Sequence, residues 1–246
     1  MRLEFDLGNS FLKWRLVNPL RVSGGQLLLA ELEAWLAEQH QAIDEIWISS
    51  VASDSVNHQL ANRLALHFGV APEFARVTKQ AAGVVNAYAH PERMGVDRWL
   101  VMLAAWEKLQ CAFIVVDAGS AINIERVSTD GHYLGGTILA GYQMQQRTLL
   151  GQTARVRFDL AAGDALQGGV DTASCVASGA ELVLRGVAQQ LPDLLAELAD
   201  VGGRSKLVLT GGDAQHLVKY LPEGLEYQLL PELVMDGLVL AKRENI

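Results

Sequence analysis

The sequence predicts an α/β protein built from two copies of one plan. A motif of apolar strand, Asp, one residue, Gly and small polar residues occurs twice. The copies are LEFDLGNSFLKWRLV (3–17) and IVVDAGSAINIERV (114–127), and their aspartates, Asp6 and Asp117, lie 111 positions apart by subtraction. Each copy is followed by alternating strand-like and helix-like segments, the pattern of a mixed sheet covered by helices. The chain has 246 residues, 50% of them hydrophobic and 20% charged, which is enough for two units with real cores.

Taken in order, residues 2–6 and 12–17 read as paired strands around the Gly8-Asn9 turn, with a third strand over 25–29. Apolar residues at helical spacing predict a helix over 30–39. EIWISSV (45–51) reads as a strand, 55–68 as a helix capped by Ser53 or Asp54, and 73–77 as a short strand. Residues 86–110 begin irregularly, with Pro91 and Gly95, and become helical near Asp97. The second half repeats the plan, with strands at 112–117, 121–127 and 132–139, a helix at 142–150 and a polar loop through 170. A long helix over 172–199, a strand–turn–helix start at KLVLTGGDA (206–214) and a last helix opened by Pro231 complete it. The division falls near residue 110, giving halves 1–110 and 111–246.

The 20 basic and 28 acidic side chains leave a net charge of −8, which argues against a broad nucleic-acid or anionic-membrane surface. Two cysteines, Cys111 and Cys175, lack C-x-x-C spacing and read as reduced thiols. No apolar run approaches 18 residues, and the N-terminus enters a strand directly, so the expected location is the cytoplasm. The six histidines, at 40, 58, 67, 90, 132 and 216, have no zinc-ligand spacing. Ser178 lacks a G-x-S-x-G context, and Trp14, Trp99 and Trp106 read as packing residues.

The repeated hairpin reads as a phosphate grip. Backbone N–H groups of a tight turn can point at an anion, and Gly8 and Gly119 leave room for it. Asn9, Ser10 and Ser120 add small donors, and Lys13 lies within reach of a phosphate. Asp6 and Asp117 end apolar strands, where a carboxylate is costly unless it meets a cation or donors. Two such hairpins facing across a cleft would hold a polyphosphate and its metal. LTGGDA (209–214) adds a Gly211-Gly212 turn where a nucleoside or phosphate can lie against backbone. Asp97 enters a helix from an irregular segment, a place from which a carboxylate can orient a hydroxyl and accept its proton. Arg98 beside it offers a planar fork for a carboxylate substrate.

Four segments, in order along nearly the whole chain, carry a family resemblance: DLGNSFLKWR (6–15), YAHPERMGVDRW (88–99), VDAGSAINIE (116–125) with GGTILAG (135–141), and LTGGDA. Together they resemble the acetate-kinase, sugar-kinase, actin and heat-shock ATPase superfamily, and within it most closely the type III pantothenate kinases. The resemblance implies two duplicated ribonuclease-H-like (actin-like ATPase) domains with mixed five-stranded sheets and an interdomain nucleotide cleft. It implies ATP-dependent phosphorylation of pantothenate, magnesium with the ATP, a monovalent cation such as potassium or ammonium, and a homodimer with the pantothenate site at its interface.

By the same resemblance, Asp6, Leu7, Gly8, Asn9, Ser10, Phe11, Leu12 and Lys13 form the first phosphate loop, and Ser120, Gly211 and Gly212 also meet ATP. Asp97 is the general base. Tyr88, Gly95, Val96, Arg98 and Thr172 line the pantothenate site, and Asp117 holds the monovalent cation. Three positions depart from the family pattern: Ser120 for Thr, Glu125 for Asp, and Ala140 for Pro. The rival readings are another small-molecule kinase of the superfamily and a non-catalytic regulatory relative.

Overall fold

The computed structural model describes residues 1–153, 168–202, 204–244 and 246. The first sheet uses β1 (Arg2–Leu7), β2 (Leu12–Val17), β3 (Val22–Leu27), β4 (Glu45–Ser50) and β5 (Glu73–Phe74). The helices α1 (Leu32–Ala37) and α2 (Asp54–Phe68) interleave with them, and a small hairpin, β6 (Gln80–Ala81) and β7 (Val84–Val85), precedes α3 (Val96–Leu109). The second sheet uses β8 (Phe113–Ala118), β9 (Ala121–Val127) and β10 (Tyr133–Ala140), then β11 (Lys206–Thr210) and β12 (Gln228–Leu229). Its helices are α4 (Tyr142–Gln152), α5 (Thr172–Gly202) and α6 (Ala214–Val218), and α7 (Leu233–Arg243) ends the chain.

The two sheets have the same order, β3-β2-β1-β4-β5 and β10-β9-β8-β11-β12. In each, the first three strands pair antiparallel and the last two add in parallel. Strand alternation explains which side is dry. Leu3, Phe5 and Leu7 of β1, with Ile46 and Ile48 of β4, pack with Leu32 and Leu36 of α1 and Leu60 and Leu64 of α2. Ile114, Val116, Ile122, Ile124, Leu207 and Leu209 pack likewise with Leu184, Ala188 and Leu191 of α5 and Leu217 of α6. The intervening strand positions carry the polar residues: Glu4 and Asp6 in β1, Asp117 in β8, Asn123 and Glu125 in β9.

The chain forms two compact units, Met1–Lys108 with Glu232–Ile246, and Leu109–Pro231. Division at residue 110 leaves the last helix with the second half, whereas in the fold α7 packs against β1 and β4. Other differences are local. The third strand starts at Val22, because full pairing of β3 with β2 extends it over the weak strand formers Ser23, Gly24 and Gly25. The strand expected over 73–77 pairs only at Glu73–Phe74, on the sheet edge. Pro231 stands outside α7, which begins at Leu233 behind Glu232. The polar loop expected through 170 falls largely on residues 154–167, outside the described residues.

Candidate active site

Asp6 is the fifth residue of β1 and Asp117 the fifth of β8. Asp6 faces Lys13 across β2 and Ser49 across β4. Asp117 faces Asn123 across β9 and Thr210 across β11. Both aspartates therefore sit in the same place of the same sheet plan, each beside a turn.

In the first unit, Asp6 is buried and its Oδ1 accepts a 2.9 Å hydrogen bond from Ser49 Oγ. Burial pushes its carboxyl up from 3.8 to about 6, against the pull of Lys13 and Ser49, and the nearby Asp97 and Glu232 charges push the same way. Gly8 N–H is used within the turn, donating to Phe11 O at 3.2 Å. Leu7 and Leu12 belong to the core, so only their backbones face the turn, while Asn9 and Phe11 are exposed and Lys13 is half-buried.

Asp97 lies in the first turn of α3, half-buried, and its Oδ1 accepts the Arg98 backbone N–H at 2.8 Å. A Cβ on Gly95 would stand 2.5 Å from that same oxygen, so the carboxylate takes this position only because residue 95 is glycine. Arg98 is buried, and its Nη1 donates to Tyr88 Oη at 3.0 Å, with the guanidinium 5.9 Å from the ring centroid. Adjacent helical residues point about 100° apart, and here Asp97 turns to the helix start while Arg98 turns to Tyr88. Val96 is buried at the start of α3. Tyr88, Gly95, Val96, Asp97 and Arg98 thus form one cluster in the first unit. Thr172 belongs to the second unit, exposed at the start of α5.

In the second unit, three turns meet at the ends of β8 and β11. Gly119 N–H closes the β8–β9 turn onto Ala121 O at 2.9 Å, and Gly141 N–H donates to Ser120 O at 2.9 Å. Asp213 N–H donates to Ala118 O at 2.8 Å. Gly211 has φ +92°, and a Cβ there would collide with Ala118 O and the Asp117 carboxylate. Asp117, Ser120, Gly211 and Gly212 are therefore brought together. This is the carboxyl-end edge of the parallel strands, where open α/β sheets hold ligands. Burial raises the Asp213 carboxyl above its ordinary value, and His216 pulls it back.

In the first unit, three supporting residues, Ser49, Lys79 and Asn86, lie outside the motif segments. Ser49 holds Asp6. Asn86, fully buried, accepts the Tyr88 backbone N–H at 2.9 Å, and Lys79 Nζ donates to Tyr88 O at 3.2 Å. Glu125, at a departure from the family pattern, is fully buried and accepts a 2.8 Å hydrogen bond from Tyr133 Oη. Ala140 ends β10, where its carbonyl takes Gln145 Nε2 at 2.9 Å, so the absence of Pro leaves the turn intact.

Among solved structures, the fold is similar to that of a protein described as a conserved Baf family transcriptional activator from Campylobacter jejuni. That match has TM-score 0.58 and 22% identity, covering 99% of this chain and 98% of the other. A protein described as a 2-dehydro-3-deoxygalactonokinase from Sinorhizobium meliloti aligns with TM-score 0.59 at 15% identity, covering 100% of this chain and 99% of that one. At these identities the likeness speaks for the fold alone. In sequence, the chain is 37% identical to a type III pantothenate kinase of Ectopseudomonas mendocina, over 98% of each chain. It is 38% identical to one of Pseudomonas aeruginosa, again over 98% of each. The family model for type III pantothenate kinase matches residues 2–193. With every motif of the duplicated hairpins inside those alignments, the chain belongs to the type III pantothenate kinase family.

Proposed function

We propose a division of labour by which this chain carries out the reaction of its family, transfer of phosphate from ATP to the hydroxyl of pantothenate, the first step toward coenzyme A. The observation that supports it best is the matched placement of Asp6 and Asp117, each at the fifth position of the first strand of its sheet. The hairpin from Asp6 to Lys13 and the turn at Ser120 hold phosphate oxygens, and Gly211-Gly212 takes the nucleoside. A Cβ on Gly8 or Gly119 would meet no protein atom closer than 3.8 Å, which leaves space beside both turns.

Asp97 accepts the proton of the attacking hydroxyl, and its held carboxylate suits that task. Arg98, with Tyr88, Gly95 and Val96, receives pantothenate, the guanidinium pairing with its carboxylate. Thr172 meets the same substrate. By family likeness the active form is a cytoplasmic homodimer, with the pantothenate site completed at the interface.

Among the described residues no group of three or more His, Cys, Asp or Glu could hold a metal ion. In this reading magnesium would come with the ATP phosphates and meet the carboxylate of Asp6, at the end of its apolar strand. Asp117 suits a potassium or ammonium ion. Held by Asp6 and Asp117, such cations would supply positive charge beside the phosphoryl group.

The test is phosphate transfer from ATP to pantothenate with magnesium, run in sodium, potassium or ammonium. Turnover that requires potassium or ammonium, and that Asp97→Asn lowers by about a hundredfold or more while both substrates still bind, is expected. Near-normal turnover in Asp97→Asn removes it from the base role. ATP binding with no transfer under any salt would favour a regulatory reading.

A further inference from the structure

Linked to the Ser120 and Gly211-Gly212 turns of the second unit is a cluster to which the proposed roles give no task. Glu181 on α5 is 3% exposed, and each of its carboxylate oxygens accepts a hydrogen bond. His216 Nε2 donates to Oε1 at 2.8 Å, and Tyr220 Oη donates to Oε2 at 2.6 Å. The His216 ring meets Tyr142 edge-on, with centroids 5.0 Å apart, and leans on Tyr220 at 6.0 Å. A buried carboxylate paired on both oxygens is a strong and directional anchor.

The cluster is joined to the site by backbone. His216 belongs to α6, a helix of five residues whose buried side chains are Ala214 and Leu217. So small an apolar face gives the helix little grip. Its start is the Gly211-Gly212 turn: His216 N–H donates to Asp213 O at 2.9 Å, and Asp213 N–H donates to Ala118 O at 2.8 Å. Tyr142 opens α4 directly after Gly141, whose N–H donates to Ser120 O. Gln189 Nε2 of α5 donates to Tyr220 O at 2.9 Å, fastening the far end of α6. One buried acid thus ties α5 to His216 of α6 and to Tyr220 just beyond it, and through the His216 ring reaches Tyr142 at the start of α4.

We infer that Glu181, His216 and Tyr220 are positioning residues for the nucleotide: they act through α6 on the Gly211-Gly212 turn and, through Tyr142, on the Ser120 turn. This rests on the reading of those turns as nucleotide contacts. Loss of the cluster should weaken ATP and spare pantothenate, a split that general damage to the fold would not give.

The experiment uses the full chain. ATP affinity is read by calorimetry with magnesium, and Michaelis constants for both substrates by turnover. His216→Ala is expected to weaken ATP about tenfold while the pantothenate constant stays within about twofold. His216→Gln, whose amide N–H can reach the same carboxylate, should recover most of that loss. Tyr220→Phe removes one hydroxyl from an otherwise unchanged ring. It should weaken ATP about threefold, and it replaces His216→Ala if that variant does not fold. Unchanged ATP affinity in the folded variant, or an equal rise in both constants, overturns the inference. Gly211→Ala tests the underlying reading, since its Cβ would press on Ala118 and Asp117. If Gly211→Ala binds ATP normally, the nucleotide reading falls and the inference with it. If Gly211→Ala weakens ATP and the cluster variants do not, only the inference falls.

Discussion

Asp6 carries its charge where charge is costly, and that cost is open to measurement. Its carboxyl is raised by burial from 3.8 to about 6, so the fold binds this proton more tightly than the unfolded chain does. The stabilising effect of that proton is complete below pH ~4 and is lost as pH rises through about 6. At neutral pH the ionised Asp6 therefore costs the fold up to about 3 kcal/mol. Asp6→Asn keeps the shape and the Ser49 contact while removing the charge. Urea unfolding of the ligand-free protein at pH 8 should show a gain of about 1–3 kcal/mol over the parent, shrinking toward zero at pH 4, with turnover lost. A variant no more stable than the parent at pH 8 would mean that Lys13 already cancels the burial cost. Asp6 itself is legible in the sequence, because a carboxylate at the end of an apolar strand is anomalous. Its partner Ser49 is not, because it lies 43 positions away and is an ordinary serine at the end of an ordinary strand. The role of His216 is not legible for the same reason, since its partner Glu181 is 35 positions away and the spacing matches no ligand pattern.

At the scale of elements, β1 and β2 are held to α7 by charge as well as by packing. Glu4 is fully buried in β1 and takes Arg2 Nε at 2.6 Å and Arg15 Nε at 2.5 Å. Arg15 also reaches Asp236 of α7 through Nη1 at 2.9 Å, and Lys108, in the last turn of α3, reaches the same aspartate at 3.0 Å. The two cations are not equivalent. The Arg15 side chain is 12% exposed and faces a carboxylate without solvent, whereas Lys108 is 41% exposed. Arg15→Ala should cost about 3–5 kcal/mol in a denaturant titration, because it strips one partner from a buried charge. Lys108→Ala should cost less than about 1 kcal/mol. Equal losses would show that Arg2 alone satisfies Glu4. None of this is visible in the string LEFDL, where Glu4 looks like the solvent-facing half of an alternating strand. The elements themselves are legible because their periodicity is local. Their ends drift where pairing decides, as at β3 and β5.

At the scale of the molecule, the duplicated sheets follow from the sequence repeat, but the return of the chain to its first unit does not. α7 reads as an amphipathic helix attached to whatever precedes it, and no local pattern names the sheet it covers. In the fold it buries Leu233, Val234, Met235, Leu238 and Ala241, and packs on β1 and β4. Full burial of a Leu, Val or Met side chain is worth about 1.5–3 kcal/mol, so four of them amount to about 6–12 kcal/mol. That is as much as the whole stability of a typical domain. A fragment of residues 1–110 should therefore fail to give a cooperative urea transition, even though it holds all five strands of its sheet. Residues 1–108 joined by a flexible Gly/Ser linker to 231–246 should regain one, with the Asp236 contacts to Arg15 and Lys108 restored. A matched fusion carrying Leu238→Asp puts a charge at a fully buried position of α7 and should lose the transition again. If 1–110 unfolds cooperatively on its own, α7 adds to a unit already complete, and the division of the chain at residue 110 stands as a folding boundary. If only the fusion does so, the first unit is made from both ends of the chain, and the second is an insertion between them.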